Sequence, residues 1–178
     1  CRNRVTVGLH GHDGAFSDLL ALHTSVLHRV PDTVTDEQAV FVEPLAAAFQ
    51  ILEGAHISPR HDVILIGAGK LGLLCAQVLK LTGARVRVVV RRDAQAQLLE
   101  RWGIEAVRIA EVQANQAHIV VDCTGTSEGF SMALGLVRPR GSIVLKSTYV
   151  GLPQADLTRV VVDEIRVIGS RCGAFGAA

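Results

Sequence analysis

Three glycines stand in the order Gly67-Ala68-Gly69-Lys70-Leu71-Gly72, directly after the apolar run 63–66 and directly before an amphipathic stretch. This G-x-G-x-x-G spacing can seat the pyrophosphate of a dinucleotide. Gly67 can make the tight turn off a strand, Gly69 removes the Cβ that would hold the phosphates away, and Gly72 lets the following helix pack close to the strand. Lys70 and Leu71 open that helix, whose unpaired N–H groups and positive dipole end would face the anion. A second group, Val90-Arg91-Arg92-Asp93, ends the next β-rich run, about 20 residues beyond the glycines, where a cofactor's adenosine ribose is read. Two guanidiniums there would clamp a 2′-phosphate, whereas a carboxylate would repel it, so NADP is expected in preference to NAD. The alternative leaves Arg91 and Arg92 solvated and sends Asp93 to the ribose. A third candidate is Glu43 in Val42-Glu43-Pro44-Leu45, an acid in a strongly apolar neighbourhood ahead of a proline that fixes the backbone.

The elements that must position these residues follow from hydrophobic period and punctuation. After a polar lead-in with a short apolar run at 5–9, residues 15–22 and 26–30 have strand character, closed by Pro31. Thr35 with Gln38 three residues on forms a capping-box pattern that starts a short helix, and a second helix covers 46–53 before Gly54. From residue 63 onward, strands and helices alternate. Strands are expected at 63–66, 86–90, 104–109, 119–123, 143–146 and 165–171. Helices are expected at 70–81, with Leu71, Leu74, Cys75 and Val78 on its apolar face, from Asp93 as cap to 102, and from Ser127 as cap to 137. Residues 138–141, Arg-Pro-Arg-Gly, read as a turn. Apolar strands joined by crossovers make a parallel, doubly wound α/β sheet of the Rossmann type.

The 178 residues carry 49% hydrophobic and 20% charged side chains and a net charge of +1, an ordinary globular composition. No apolar run approaches the roughly 20 residues of a membrane span. The charge balance argues against a nucleic-acid surface, and the arginines, scattered along the sequence, read as solvated faces. His10-Gly11-His12-Asp13 reads as a glycine-rich turn more readily than as a metal site. Four widely spaced cysteines form neither a metal knuckle nor a disulfide framework, and a reducing cytoplasm is expected. Cys123 and Cys172 are either reactive thiols or small buried residues, the second being the better fit. The chain opens on Cys1 and closes on Gly176-Ala177-Ala178, so it is expected to be an internal piece of a longer protein.

Five strings taken together, 13–19 (Asp-Gly-Ala-Phe-Ser-Asp-Leu), 42–46 (Val-Glu-Pro-Leu-Ala), the glycine turn, 121–125 (Val-Asp-Cys-Thr-Gly) and 141–144 (Gly-Ser-Ile-Val), resemble the medium-chain dehydrogenase/reductase family. The nearest branch is that of the zinc-dependent alcohol, sorbitol and threonine dehydrogenases. The resemblance implies that 1–44 end a GroES-like, β-rich catalytic segment and that 45–178 are the Rossmann cofactor domain. It implies that Glu43 is a zinc ligand or an acid beside the metal-bound water. Thr124, Gly125, Leu145, Lys146, Ser147, Ser170 and Cys172 would line the nicotinamide end, mostly through backbone groups. Cys1 would match the last cysteine of a structural-zinc lobe. The resemblance further implies hydride transfer between NAD(P) and a small alcohol or carbonyl substrate, zinc in the complete enzyme, and a homo-oligomer paired through the edge at 165–171. Two readings stay open beside it: a zinc-independent enzyme of the quinone-reductase type, and a non-catalytic Rossmann module that senses nucleotide.

Overall fold

The computed structural model describes residues 5–9, 11–149 and 151–178. Cys1 and His10, named above for possible metal roles, lie outside them. The chain divides into two compact units, Cys1–Val34 and Thr35–Ala178.

In the first unit the strands expected at 15–22 and 26–30 do not form, and the described residues hold only turns and one 3₁₀ turn at Thr24–Val26. A strand needs a neighbour to take its N–H and C=O groups and a layer to cover its apolar face. Neither exists here: no described segment of this unit pairs in a ladder, and Phe16 and Leu19 are exposed. Period and composition were compatible with strands, but pairing is not a local property.

The second unit is a six-stranded parallel sheet flanked by helices. Helix α1, Asp36–Ala39, begins with the expected capping box: Thr35 Oγ1 accepts from Gln38 N at 3.3 Å and Gln38 Oε1 accepts from Thr35 N at 3.0 Å. Helix α2, Val42–Gly54, starts four residues earlier than expected, because Pro44 falls in its first turn, where a missing N–H has no intrahelical partner to lose. Then follow β1 (Asp62–Ile66), α3 (Lys70–Lys80), β2 (Arg85–Val89), α4 (Asp93–Arg101), β3 (Glu105–Val107), β4 (Ala117–Asp122), α5 (Ser127–Leu136), β5 (Val137–Leu145), α6 (Leu157–Val162) and β6 (Arg166–Gly169). The order across the sheet is β3-β2-β1-β4-β5-β6, so the winding reverses between β1 and β4. In register, Ile66 lies opposite both Val89 and Asp122.

Alternate side chains of β1 feed two cores. Val63 and Leu65 pack with Ile51, Cys75, Leu79, Val88 and Leu99 under α2, α3 and α4. Ile64 and Ile66 pack with Val120, Phe130, Ala133 and Ile143 under α5. Covered on both faces, the central strands are continuously apolar at 63–66 in β1 and 119–121 in β4, as a parallel sheet requires. The buried face of α3 is Gly72, Cys75, Ala76, Val78 and Leu79 rather than the stripe expected from Leu71 and Leu74, which are only half-buried. Gly72 sets this rotation, since a Cβ there would lie 1.9 Å from the Gly67 carbonyl oxygen.

Three further local expectations are corrected. Asp93 and Ser127 are the first helical residues of α4 and α5, not their caps; the caps are Arg92 and Thr126. Residues 138–141 are a bulge inside β5 rather than a turn before it: Ala117 faces Val137, but Ile119 already faces Ser142, and the surplus residues loop outward. Helix α6, unexpected from sequence, is started by Asp156, whose carboxylate accepts from Arg159 N at 3.2 Å.

Candidate cofactor cleft

At the C-terminal ends of β1 and β4, where the strand order reverses, lies a cleft of about 370 Å³. In open α/β sheets, this is the crevice that receives ligands. Gly67, Gly69, Arg91, Arg92 and Thr124, all expected site residues, line it, and Val90, Gln95, Cys123 and Met132 join them.

The three glycines are needed for different reasons. Gly67 sits at φ +95, and a Cβ there would approach the Cys123 carbonyl carbon and oxygen to 2.7 Å. Gly72 is excluded from any side chain by the Gly67 carbonyl. Gly69 alone has nothing within 4 Å of where its Cβ would be and has ordinary extended backbone, φ −80 and ψ −172. No fold requirement asks for glycine there; the space it leaves belongs to the cleft. Gly69 also precedes the first turn of α3 and offers no side-chain cap, which leaves the helix-start amides available to an anion. Lys70 is exposed and Leu71 half-buried in that turn.

Gln95, absent from the expectations, ties the two walls together. Its Oε1 accepts from Arg91 N at 3.3 Å and Arg92 N at 3.2 Å, and its Nε2 donates to the Ala68 carbonyl at 2.7 Å. A Gln in the first turn of the helix after β2 is the signal that was available. Gln95→Ala is expected to lower stability by about 1–2 kcal/mol, three half-exposed hydrogen bonds being lost to solvent competition, and to lower the urea midpoint at unchanged m-value.

The second wall is a buried polar network. Asp122, fully buried at the end of β4, accepts from Thr124 N at 2.8 Å and Thr124 Oγ1 at 2.7 Å through Oδ1, and from the Tyr149 hydroxyl at 2.5 Å through Oδ2. Burial, then the hydrogen bond to Asp122, push the Tyr149 phenol far above its ordinary pKa. Gly125, at φ +70, turns the chain after Thr124. Neither Asp122 nor Tyr149 was expected as a site residue; the signal was an acid closing an otherwise apolar strand.

The remaining expected residues, Gly125, Leu145, Lys146, Ser147, Ser170 and Cys172, do not line this cleft and lie at or beyond the ends of β4, β5 and β6. Backbone bonds run from Lys146 N to the Asp122 carbonyl and from Ser170 N to the Leu145 carbonyl, both 2.9 Å. The Lys146 side chain is buried, and its ammonium donates to Ser170 Oγ at 3.2 Å and to the Arg171 carbonyl. Burial lowers its pKa, while Cys75, Cys123, Cys172 and Glu43 act in the opposite sense. Cys172 is exposed, not buried as expected, and lies beyond the end of β6. Cys123 is half-buried; its hydrogen bond with Cys75 and its burial push its thiol well up.

Glu43 also departs from expectation. It is exposed in the first turn of α2, so its carboxylate faces solvent and the positive helix end rather than an apolar pocket. A catalytic zinc takes about three protein ligands plus water or substrate. Among the described residues no group of three His, Cys, Asp or Glu could hold a metal ion, so they do not by themselves fit a zinc site.

Strand order, glycine turn and switch-point crevice together define a Rossmann-type α/β domain. Residues 71–177 match the family model of the zinc-binding dehydrogenases, and the chain belongs to that family. It is 28% identical over 183 residues to L-galactonate-5-dehydrogenase of Escherichia coli K12, covering 96% of this chain and 53% of that protein. It is 27% identical over 185 residues to sorbitol dehydrogenase of Halalkalibacterium halodurans, covering 96% and 54% respectively. Among solved structures, a protein of Sinorhizobium meliloti 1021 described as a zinc-binding dehydrogenase and bound to NADP superposes with a TM-score of 0.84 at 25% identity, over 97% of this chain and 55% of that one. An alcohol dehydrogenase of E. coli CFT073 complexed with NADH shares the fold, with a TM-score of 0.88 at 23% identity over 99% and 56%. The chain thus spans about half the length of the relatives it matches. No helix among the described residues is long and apolar enough to cross a membrane.

Proposed function

We propose that this chain forms the cofactor-binding part of an NAD(P)-dependent oxidoreductase acting on the CH–OH group of a small alcohol or polyol, or on the corresponding carbonyl. The observation that carries the reading is the vacant side-chain position of Gly69, opening onto a cleft at the start of a helix. When bound, the dinucleotide supplies hydride chemistry at its nicotinamide ring. The residues' own part is to hold and orient it: the amides at the start of α3 take the pyrophosphate, and the Asp122 network fixes the Thr124-Gly125 turn at the nicotinamide end. Leu145, Lys146, Ser147, Ser170 and Cys172 extend that end along the sheet. Titration with NADPH and NADH, followed by quenching of intrinsic fluorescence, tests this; absence of saturable binding by either would overturn it.

NADP is the preferred dinucleotide in this reading. Arg91 and Arg92 both line the cleft. Asp93, the carboxylate that would otherwise take a ribose, is 86% exposed and engaged by Arg108. Arg91→Ala and Arg92→Ala are each expected to weaken NADPH binding by about tenfold, the loss of one charge-assisted contact, and to leave NADH within about twofold. Equal weakening of both dinucleotides would return the ribose to Asp93.

Glu43 retains a proposed role as an acid or ligand beside a metal, a role that requires further ligands from outside the described residues. The boundary proposed between a catalytic segment and the cofactor domain, at residue 44, lies in the first turn of α2. Strand β6 ends the sheet and leaves Val167 exposed, an edge on which a second copy could pair.

A further inference from the structure

At the N-terminal ends of the strands, away from the cofactor cleft, the polar side chains collected are hydrogen-bond donors with no carboxylate among them. A cleft of about 240 Å³ is lined by His56, His61 and His118 together with Arg138, Arg140 and Arg166. The same three arginines line an adjoining hollow of about 580 Å³. The sequence suggested scattered arginines; the fold gathers these three, because the bulge in β5 carries Arg138 and Arg140 outward beside the first residue of β6. Arg140 is held in a left-handed conformation, φ +61, by a 2.7 Å bond from its N–H to the Asp163 carbonyl. A β-branched or bulky residue rarely stays at such a φ without a local reason.

Two of the histidines, His61 and His118, are oriented as donors too. His61 Nδ1 accepts from Ser58 N and His118 Nδ1 accepts from Asp62 N, each at 3.1 Å. A ring whose Nδ1 accepts carries its proton on Nε2, which leaves an N–H to offer. The rings lie together, with centroids 5.5 Å apart for His61 and His118 and 6.3 Å for His56 and His61. Against these groups stands one carboxylate in the adjoining hollow, Glu164, at 3.3 Å from Arg140 Nε and largely exposed. Asp62, the other nearby acid, is spent on a bidentate pair with Arg87. No ion pair of Arg138 or Arg166 occurs among the described residues. Burial, and after it the proximity of His118, His56 and Arg138, lower the pKa of His61.

We propose that this cleft binds a small dianionic oxyanion, inorganic phosphate or the phosphate group of a small phosphomonoester, at a site separate from the dinucleotide cleft. Planar guanidiniums match such oxygens in pairs, imidazole N–H groups add further donors, and no carboxylate lines this cleft. The site shares no lining residue with the cofactor cleft.

The test is calorimetric titration with inorganic phosphate, at constant ionic strength and with NADPH saturating so that the dinucleotide cleft is filled. Saturable binding with Kd of about 1 mM or tighter is expected, with the imidazole NMR signals of His61 and His118 shifting along the same isotherm. Arg138→Gln with Arg166→Gln should weaken it by at least about tenfold. Both residues are exposed, and the ring shifts of the unaltered protein provide a readout that needs no variant. Tighter binding of glycerol 3-phosphate assigns a phosphomonoester, and tighter binding of phosphate assigns the free ion. A heat that follows chloride equally, rings that do not shift, or affinity unchanged in the double variant would overturn the site.

Discussion

Gly69→Val is expected to leave the thermal midpoint within about 2 °C of the parent and to weaken NADPH binding by about 100-fold. The two halves of this result have separate causes. The backbone at Gly69 is extended in a region open to any residue, and its absent Cβ faces empty space, so the folded chain accepts the side chain. The same side chain fills the volume through which a pyrophosphate must approach the first amides of α3. Displacing the anion loses about two charge-assisted hydrogen bonds of roughly 1.5 kcal/mol each, near a factor of 100 in Kd. Gly72→Ala is the opposite control: its Cβ would lie 1.9 Å from the Gly67 carbonyl, so the fold itself gives way. Unchanged affinity in Gly69→Val would remove the dinucleotide from this turn.

Asp122→Ala is expected to destabilise the chain by about 3 kcal/mol, a fall in midpoint of roughly 6–12 °C for a domain of this size. The carboxylate has no exposure, and three donors depend on it. Water cannot easily replace it, because α5 passes so close that a Cβ on Gly129 would touch both Asp122 oxygens and Thr124 Oγ1. Tyr149→Phe should lose less, about 1 kcal/mol, since only one bond goes. The phenol also has a pH signature. Its folded pKa is raised, so the folded state holds the proton more tightly than the unfolded one; the associated stability is complete below about pH 10 and declines as pH rises beyond it. Chemical denaturation between pH 9 and 11 should show that decline in the parent and a shallower one in Tyr149→Phe.

The cofactor half of this molecule was legible because its signals are local. A glycine turn between an apolar run and a helical stripe carries its own geometry, and repetition of strand and helix implies crossovers and a parallel sheet. What escaped depends on partners distant in sequence. Residues 15–30 have strand composition but no ladder. Glu43 lies among apolar neighbours in sequence, yet the first turn of α2 presents it to solvent. Asp122 and Tyr149 are 27 positions apart, and nothing in either stretch announces the bond between them. Gln95 could have been noticed as a reach-back group, but its bond to Ala68 crosses from one crossover unit to the next. The gathered arginines were invisible because a bulge, not a motif, brings them together.

The winding of the sheet has a consequence for how the protein comes into being. Strands β1 to β3 are finished in sequence before β4 begins, and the chain crosses the midline once. A nascent polypeptide that has left the ribosome as far as Val107 already owns the glycine turn but lacks the opposing wall, which waits for β4 and the residues after it. The crevice is therefore complete only once the second half docks along β1.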